Sequence, residues 1–131
     1  MDYYFSKTLP GKTFENALEL VTEELKKEGF GVLTEIDVKD TLKKKLDVDF
    51  KKYKILGACN PHFAYKAFQS EDKIGAFLPC NVVVEENDDG QVEISAVDPI
   101  AMMSSIDNKE LGPLASEVRT RLQKVIESTG K

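Results

Sequence analysis

The chain has 131 residues, of which 41% are hydrophobic, and a formal net charge of −5. At about 100 to 200 residues per domain, this length predicts a single domain, 1–131, and excludes enzymes that need separate catalytic and regulatory modules. The 23 acidic residues outnumber the 18 basic ones, so no general positive field attracts phosphate backbones or anionic lipid. We therefore predict a packed globular domain that binds neither nucleic acid nor a membrane.

The N-terminal residues and the cysteine content bear on the cellular compartment. Residues 1–7 carry an aspartate at position 2 and lack the apolar run of about 7 to 15 residues that a secretory signal needs. No stretch approaches the roughly 20 apolar residues that cross a bilayer. Two cysteines, Cys59 and Cys80, are too few for a disulfide framework. These features predict a cytoplasmic protein with free thiols.

The first third of the chain predicts a strand followed by a long helix. Side chains alternate over residues 3–8 as in a strand, and Pro10-Gly11 favours a turn after it. Apolar residues then recur at helical spacing over residues 14–25, with Thr13 placed to cap the N-terminus. Gly29 stands where a left-handed C-terminal cap is expected. This pattern is typical of an amphipathic helix of about four turns.

The middle of the chain predicts two more strands and a second helix. Residues 30–36 favour a strand, and Asp37 is placed to cap the helix that follows. That helix has one apolar stripe, and its three lysines, 43–45, fall in the last turn, where cations complement the helix dipole. Residues 53–58 predict a third strand.

The last half of the chain predicts a third helix, a hairpin and a long final helix. Asn60-Pro61 is a strong helix start, because Asn caps and Pro is tolerated in the first turn. Residues 82–86 and 91–97 flank the turn sequence Asn-Asp-Asp-Gly and predict a hairpin. After a short segment at 100–103, apolar residues at helical spacing from position 111 to 126 predict the last helix.

These elements occur in the order β-α-β-α-β-α-β-β-α. Two long amphipathic helices, one near each end of the chain, need a sheet face on which to bury their apolar stripes. We therefore predict an α+β two-layer sandwich with a mostly antiparallel sheet. The opposite face of that sheet is expected to be polar or to pack against a second copy of the chain.

Several short motifs resemble those of the domain-of-unknown-function family numbered 302. The motifs are Glu35-Ile36-Asp37, Leu-Lys-Lys-Lys-Leu at 42–46, Tyr-Lys-Ile-Leu-Gly-Ala-Cys-Asn-Pro at 53–61, Ala64, Ala67, Leu78-Pro79-Cys80 and Asp98-Pro99. The most specific part is Gly-Ala-Cys-Asn-Pro followed about twenty residues later by Leu-Pro-Cys. The resemblance implies an α+β domain that is related to the TATA-binding-protein-like sandwiches. Such domains are usually found in bacteria or archaea, often as homodimers, and the resemblance implies no established activity.

Cys59, His62 and Cys80 are the only cysteines and the only histidine of the chain. Cys59 and His62 have the two-residue gap that is common between metal ligands, so the three side chains could hold a zinc or iron ion with one open position. Cys59 also lies near a helix N-terminus, where partial positive charge lowers a thiol pKa. Two alternatives stay open: a Cys59–Cys80 redox pair, or buried thiols that only fill the core.

Asp37, Lys45 and Asp98 are further candidate ligand-binding residues. An acid at a helix start and a lysine two turns later could line a pocket for a zwitterionic or phosphorylated small molecule. The structural alternatives are a helix cap for Asp37, a surface lysine for Lys45 and an Asp-Pro turn for Asp98. Neither interpretation is decided by spacing alone.

The leading hypothesis is a homodimer that binds a small ligand or a metal ion near Cys59–His62 and Leu78–Cys80, where Asn60 is a further candidate ligand residue. The second hypothesis is a non-catalytic protein-interaction or structural module. The third is a thiol-dependent redox enzyme. No sequence motif typical of a nucleotide-binding loop, a hydrolase or a zinc protease supports a more specific activity.

Overall fold

The computed structural model describes residues 2–131, and it contains the predicted elements in the predicted order, with one further short helix in place of the segment at 100–103. Its strands are β1 Tyr4–Leu9, β2 Gly31–Asp37, β3 Tyr53–Cys59, β4 Cys80–Glu86 and β5 Val92–Val97. Its helices are α1 Phe14–Lys27, α2 Val38–Leu46, α3 Pro61–Ser70, α4 Pro99–Met103 and α5 Leu111–Ser128. A 3-10 helix at Asp72–Phe77, which the sequence did not predict, lies between α3 and β4.

The five strands form one antiparallel sheet in the order β1-β5-β4-β3-β2. Both long helices, α1 and α5, contact this sheet and each other. The predicted α+β two-layer sandwich with an antiparallel sheet is therefore confirmed. None of the helices in residues 2–131 combines the length and the apolar character needed to cross a bilayer.

The core lies between the sheet and the two long helices. Every second residue of the central strands faces the helices, and Leu56, Val82 and Ile94 are each at most 2% exposed. Val21 and Leu25 of α1 meet them with no exposed surface. Burying one such side chain contributes about 1.5 to 3 kcal/mol. Apolar burial is therefore the main force that holds the helical layer on this face of the sheet.

Local signals in the sequence set the ends of the elements as predicted. The Thr13 hydroxyl accepts a hydrogen bond from the Asn16 amide at 3.0 Å and caps α1. Gly29, with φ of 85°, turns the chain back after α1 in a conformation that favours glycine. In the β4–β5 hairpin, Gly90 has φ of 83° and the Asp89 carboxylate accepts from the Gln91 amide at 2.9 Å. The turn residues therefore fix the register of this hairpin.

The second face of the sheet, which we call the open face, remains partly exposed. Its side chains alternate with those of the core, so Ser6 of β1 and Asn81 of β4 are exposed, whereas Val83 and Ser95 are half-buried. The chain from the 3-10 helix to β4 lies against one end of this face: a Cβ atom at Gly57 would lie 2.7 Å from Pro79 Cγ. Glycine therefore allows close approach between β3 and this segment.

Candidate functional site

The structure brings Cys59, Asn60 and Cys80 to one small pocket, in the region that the sequence analysis singled out. Cys80 is buried and stands beside Ala58, its cross-strand partner, while Cys59 is half-buried at the end of β3. Together with Leu78 and apolar side chains of α3 and α5, these residues enclose a volume of about 40 Å³. A water molecule needs roughly 10 to 15 Å³ measured in this way. The pocket therefore holds a few non-hydrogen atoms at most.

His62 does not join the two cysteines. It lies exposed in the first turn of α3 and does not line the small pocket. Within residues 2–131, no three His, Cys, Asp or Glu side chains come together in a group that could hold a metal ion. The proposed ligand set of Cys59, His62 and Cys80 for zinc or iron is therefore not assembled, because the start of α3 turns the imidazole to solvent.

The thiols are protected from ionisation, contrary to the expectation from the helix N-terminus. Burial raises the pKa of the Cys59 thiol. Burial, and secondarily the neighbouring Cys59, raises the pKa of the Cys80 thiol from 9.0 to about 11. Desolvation outweighs the helix dipole here, because the pocket offers no charged partner for a thiolate. Both side chains have the character of core thiols, and the redox-enzyme hypothesis gains no support from them.

Asn60 has an unusual environment for a helix cap. Its side chain does not cap α3 but donates from Nδ2 to the Glu28 carbonyl oxygen, at 3.3 Å, across the end of α1. Asn60 is only 7% exposed, and its Oδ1 atom has no hydrogen-bond partner among residues 2–131. An unsatisfied buried acceptor costs about 1 to 3 kcal/mol. Asn60 therefore ties α1 to α3 and leaves one acceptor beside the small pocket.

The remaining predicted residues, Asp37, Lys45 and Asp98, serve as caps or lie on the surface. Asp37 Oδ1 accepts from the Asp40 amide at 2.9 Å and caps α2. Asp98 Oδ1 accepts from the Ile100 amide at 3.0 Å, while Oδ2 accepts from Arg119 Nε at 3.1 Å. Lys45 is exposed and does not line the cavity of about 420 Å³ that Asp37 lines. The structure thus matches the structural alternatives for these residues and does not assemble them into one pocket.

A larger cavity lies on the open face, and the sequence analysis did not identify it. This open-face groove has a volume of about 570 Å³. The strands β3, β4 and β5 form its floor, and residues 76–79 and the Tyr3-Tyr4 pair form walls. Ligand pockets of proteins span about 300 to 1,000 Å³. The groove therefore matches a small organic molecule in size.

One end of the groove is acidic and aromatic. Glu85 of β4 stands opposite both Tyr53 of β3 and Glu93 of β5 in the strand register. Lys51 donates to Glu85 Oε1 at 2.6 Å, and its Nζ lies 5.9 Å from the centre of the Tyr53 ring. Burial, followed by the charge of Glu85, raises the pKa of the Tyr53 hydroxyl. Tyr53 therefore keeps its proton and can donate a hydrogen bond at neutral pH.

The other end of the groove is mostly apolar, and the exposed amide of Asn81 is its polar group. Tyr4 stands opposite Val97 in the β1–β5 register, and its ring meets the Tyr3 ring edge-on with 5.0 Å between centres. Phe77, Pro79 and Met102 also line this end. The groove thus changes from acidic to apolar along the direction of the strands.

Leu78 and Pro79 link the groove to the small pocket, because both residues line both cavities. The predicted site at Leu78–Cys80 therefore adjoins the groove on one side and the cysteines on the other. The alternation of Val83, Glu85, Glu93 and Ser95 with buried residues was the available signal for a wetter sheet face. This alternation does not indicate that residues 76–79 lie over that sheet face and form a wall of the groove.

The comparisons with known proteins agree with the fold. The model of a domain of unknown function, DUF302, matches residues 5–129. The chain belongs to the DUF302 family. This confirms the family resemblance found in the sequence motifs.

A solved structure shows how closely the DUF302 fold is retained. The crystal structure of an uncharacterized conserved protein DUF302 from Bacillus stearothermophilus is 27% identical in sequence and has a TM-score of 0.91. The similarity covers 98% of this chain and 99% of that chain. A search of curated proteins found no match. Family membership thus fixes the architecture of this DUF302 domain, and its function has to be argued from the site.

Proposed function

We propose that this DUF302 domain binds a small organic molecule in the open-face groove. The observation that carries the proposal is the groove itself, whose 570 Å³ volume combines three tyrosine rings with a few convergent polar groups. Binding sites for small molecules are typically concave and mostly apolar, with a small number of polar groups that orient the ligand. The groove has this composition, whereas the 40 Å³ pocket at the cysteines is too small for such a ligand.

The chemistry of the groove favours binding over catalysis. Among the described residues, its polar side chains are hydroxyls, one amide and two carboxylates, and no cysteine, histidine or lysine lines it. Tyrosine rings bury a large apolar area with few rotatable bonds and present a hydroxyl at the edge. The proposed ligand therefore stacks on the tyrosines while its polar group meets the acidic end. Of the predicted site residues Leu78–Cys80, we propose that Leu78 and Pro79 contact the ligand, because both form part of the groove wall.

A groove-filling variant tests this proposal. Ser95 lies on β5 at the floor of the groove, so Ser95→Trp fills the cavity with a side chain that strands accept. Ser116→Trp is the matched control, because Ser116 is exposed on α5, on the other side of the sheet. A panel of aromatic amines, alcohols and acids is titrated against each protein by heteronuclear NMR. Compounds that bind the wild type and Ser116→Trp, but lose at least tenfold in affinity for Ser95→Trp, support the proposal; unchanged affinity for Ser95→Trp refutes it.

A second candidate function is self-association through the open face. Apolar side chains in and around the groove are exposed, among them Tyr3 at 68%, Ile36 at 49% and Tyr4 at 45%. Five strands about 4.8 Å apart and about 20 Å long present roughly 500 Å², whereas a stable interface needs about 800 Å² from each partner. A homodimer on this face must therefore also bury the surrounding apolar residues, which agrees with their exposure. The oligomeric state in solution tests this candidate.

A further inference from the structure

We infer that the open-face groove selects an amphipathic amine, with its ammonium group at Glu93 and its apolar body against Tyr4, Phe77 and Pro79. This inference rests on the proposed binding function and adds the chemical class of the ligand. Three properties of the groove support it: its charge, its aromatic surface and the change of polarity along it.

The charge of the groove lining is negative. In the part of the chain that the structure describes, Glu85 and Glu93 are its charged residues, and no lysine, arginine or histidine contributes to the lining. Lys51, outside the lining, neutralises Glu85 through the 2.6 Å contact. Within residues 2–131, Glu93 has no cationic partner within 4.0 Å and accepts only a 3.5 Å contact from Asn87 Nδ2. One carboxylate of the groove is therefore available to a cationic ligand, and an anionic ligand would be repelled.

The sheet register places Glu93 directly beside a second carboxylate, so a bound cation would stabilise this position. Glu85 and Glu93 are directly opposed on neighbouring strands, and like charges in that position destabilise a sheet. Lys51 relieves this repulsion from the Glu85 side alone. A ligand ammonium group beside Glu93 would relieve the remainder and form a charge-assisted hydrogen bond.

Lys51 makes the same kind of contacts at the rim of the groove. Its ammonium group sits 2.6 Å from a carboxylate oxygen of Glu85 and 5.9 Å from the centre of the Tyr53 ring. Ammonium groups are attracted to aromatic faces within about 6 Å. The chain's own primary amine thus occupies the kind of carboxylate and tyrosine environment that we infer for the ligand.

The length and polarity of the groove define the rest of the ligand. Glu93 and Val97 lie four residues apart on β5, which corresponds to about 13 Å along the strand. Tyr4, opposite Val97, and Phe77 and Pro79 make the far end apolar. The ligand that fits is an amine with an aromatic or branched apolar body of that reach. A divalent metal ion does not fit, because no third His, Cys, Asp or Glu within residues 2–131 completes the two carboxylates to a metal-binding group.

Three matched probes test the inference: 3-phenylpropylamine, 3-phenylpropanol and 3-phenylpropionate. They share one apolar body and differ in the charge of the head group. Their affinities are measured by NMR titration of the wild type, Glu93→Gln and Glu86→Gln. Glu86 is the control because it follows Glu85 on β4 and therefore points to the other face of the sheet.

We expect the wild type to bind the amine about tenfold more tightly than the alcohol, as one charge-assisted contact warrants, and the acid most weakly. Glu93→Gln should lose this preference and Glu86→Gln should keep it. Equal affinities for amine and alcohol in the wild type, or a preference that survives Glu93→Gln, would overturn the inference while the groove still binds. Failure of all three probes to bind, or equal binding to Ser95→Trp, overturns the proposed function itself and the inference with it.

Discussion

Cys80 is buried among apolar side chains, and this burial raises the pKa of its thiol from 9.0 to about 11. On unfolding, the thiol returns to water and ionises near pH 9, whereas the folded chain keeps the proton up to about pH 11. The thiol's contribution to stability is therefore complete below pH 9 and is lost as the pH rises towards 11. A difference of two pKa units corresponds to about 3 kcal/mol.

Denaturant unfolding of the wild type and Cys80→Ala from about pH 8 to about pH 11 measures this contribution. We expect the wild type to lose up to about 3 kcal/mol more of its unfolding free energy than Cys80→Ala over that range. Groups that ionise in both proteins cancel in the comparison. Parallel curves for the two proteins would show that Cys80 ionises in the folded state as it does in water.

The side-chain contact of Asn60 is an example of a detail that local sequence patterns do not encode. Asn before Pro at a helix start predicts a capping side chain, and the helix does begin there. The amide instead donates to Glu28, 32 positions earlier, because Gly29 brings the end of α1 against it. A contact of that sequence separation depends on how the helices pack, and no local pattern encodes it.

Gly57 connects two elements, β3 and the segment that walls the groove. An added Cβ would lie 2.7 Å from Pro79 Cγ and would overlap the Thr34 side chain on β2. Because Pro79 is a rigid ring, we expect Gly57→Ala to displace residues 76–79 and to cost about 1 to 3 kcal/mol of unfolding free energy. The displacement should also weaken binding of 3-phenylpropylamine, since Phe77 and Pro79 line the groove.

Gly31→Ala is the matched control, because Gly31 also lies in a strand and its added Cβ would meet no atom within 4 Å. Thermal unfolding should place Gly31→Ala near the wild type or slightly above it, since alanine restricts the unfolded chain. If both substitutions had the same small effect, the close approach of β3 and Pro79 would not be a constraint on the fold.

The elements that could be predicted from the sequence are those whose signals are local. The two long helices and the β4–β5 hairpin follow from periodicities and turn residues within about 20 positions, so local patterns indicate them. The 3-10 helix at Asp72–Phe77 has no such periodicity and was missed. The groove combines residues from both ends of the chain with β3, β4 and β5 and this missed segment. The strand order places these residues side by side. Because strand order depends on the whole sheet, local sequence patterns do not predict the groove.

The whole molecule has one covered and one open sheet face, and the second candidate function concerns what covers the open one. Ile36 lies on β2, opposite Ile55 of β3, and is 49% exposed outside the groove lining. In a homodimer built on the open face, Ile36 would be buried against the partner. A lysine there would place an unpaired charge in an apolar interface, which weakens association by several kcal/mol.

Sedimentation velocity of the wild type, Ile36→Lys and Thr120→Lys over a wide concentration range separates the possibilities. Thr120 is exposed on α5 and gives the same change of charge on the covered side of the molecule. We expect a wild-type dimer that dissociates in Ile36→Lys and persists in Thr120→Lys. A monomeric wild type, or a dimer that survives Ile36→Lys, would contradict association through this face. Because Ile36 does not line the groove, Ile36→Lys leaves the groove intact, and its monomer should bind 3-phenylpropylamine at least as tightly as the wild type, whose dimer would cover the groove.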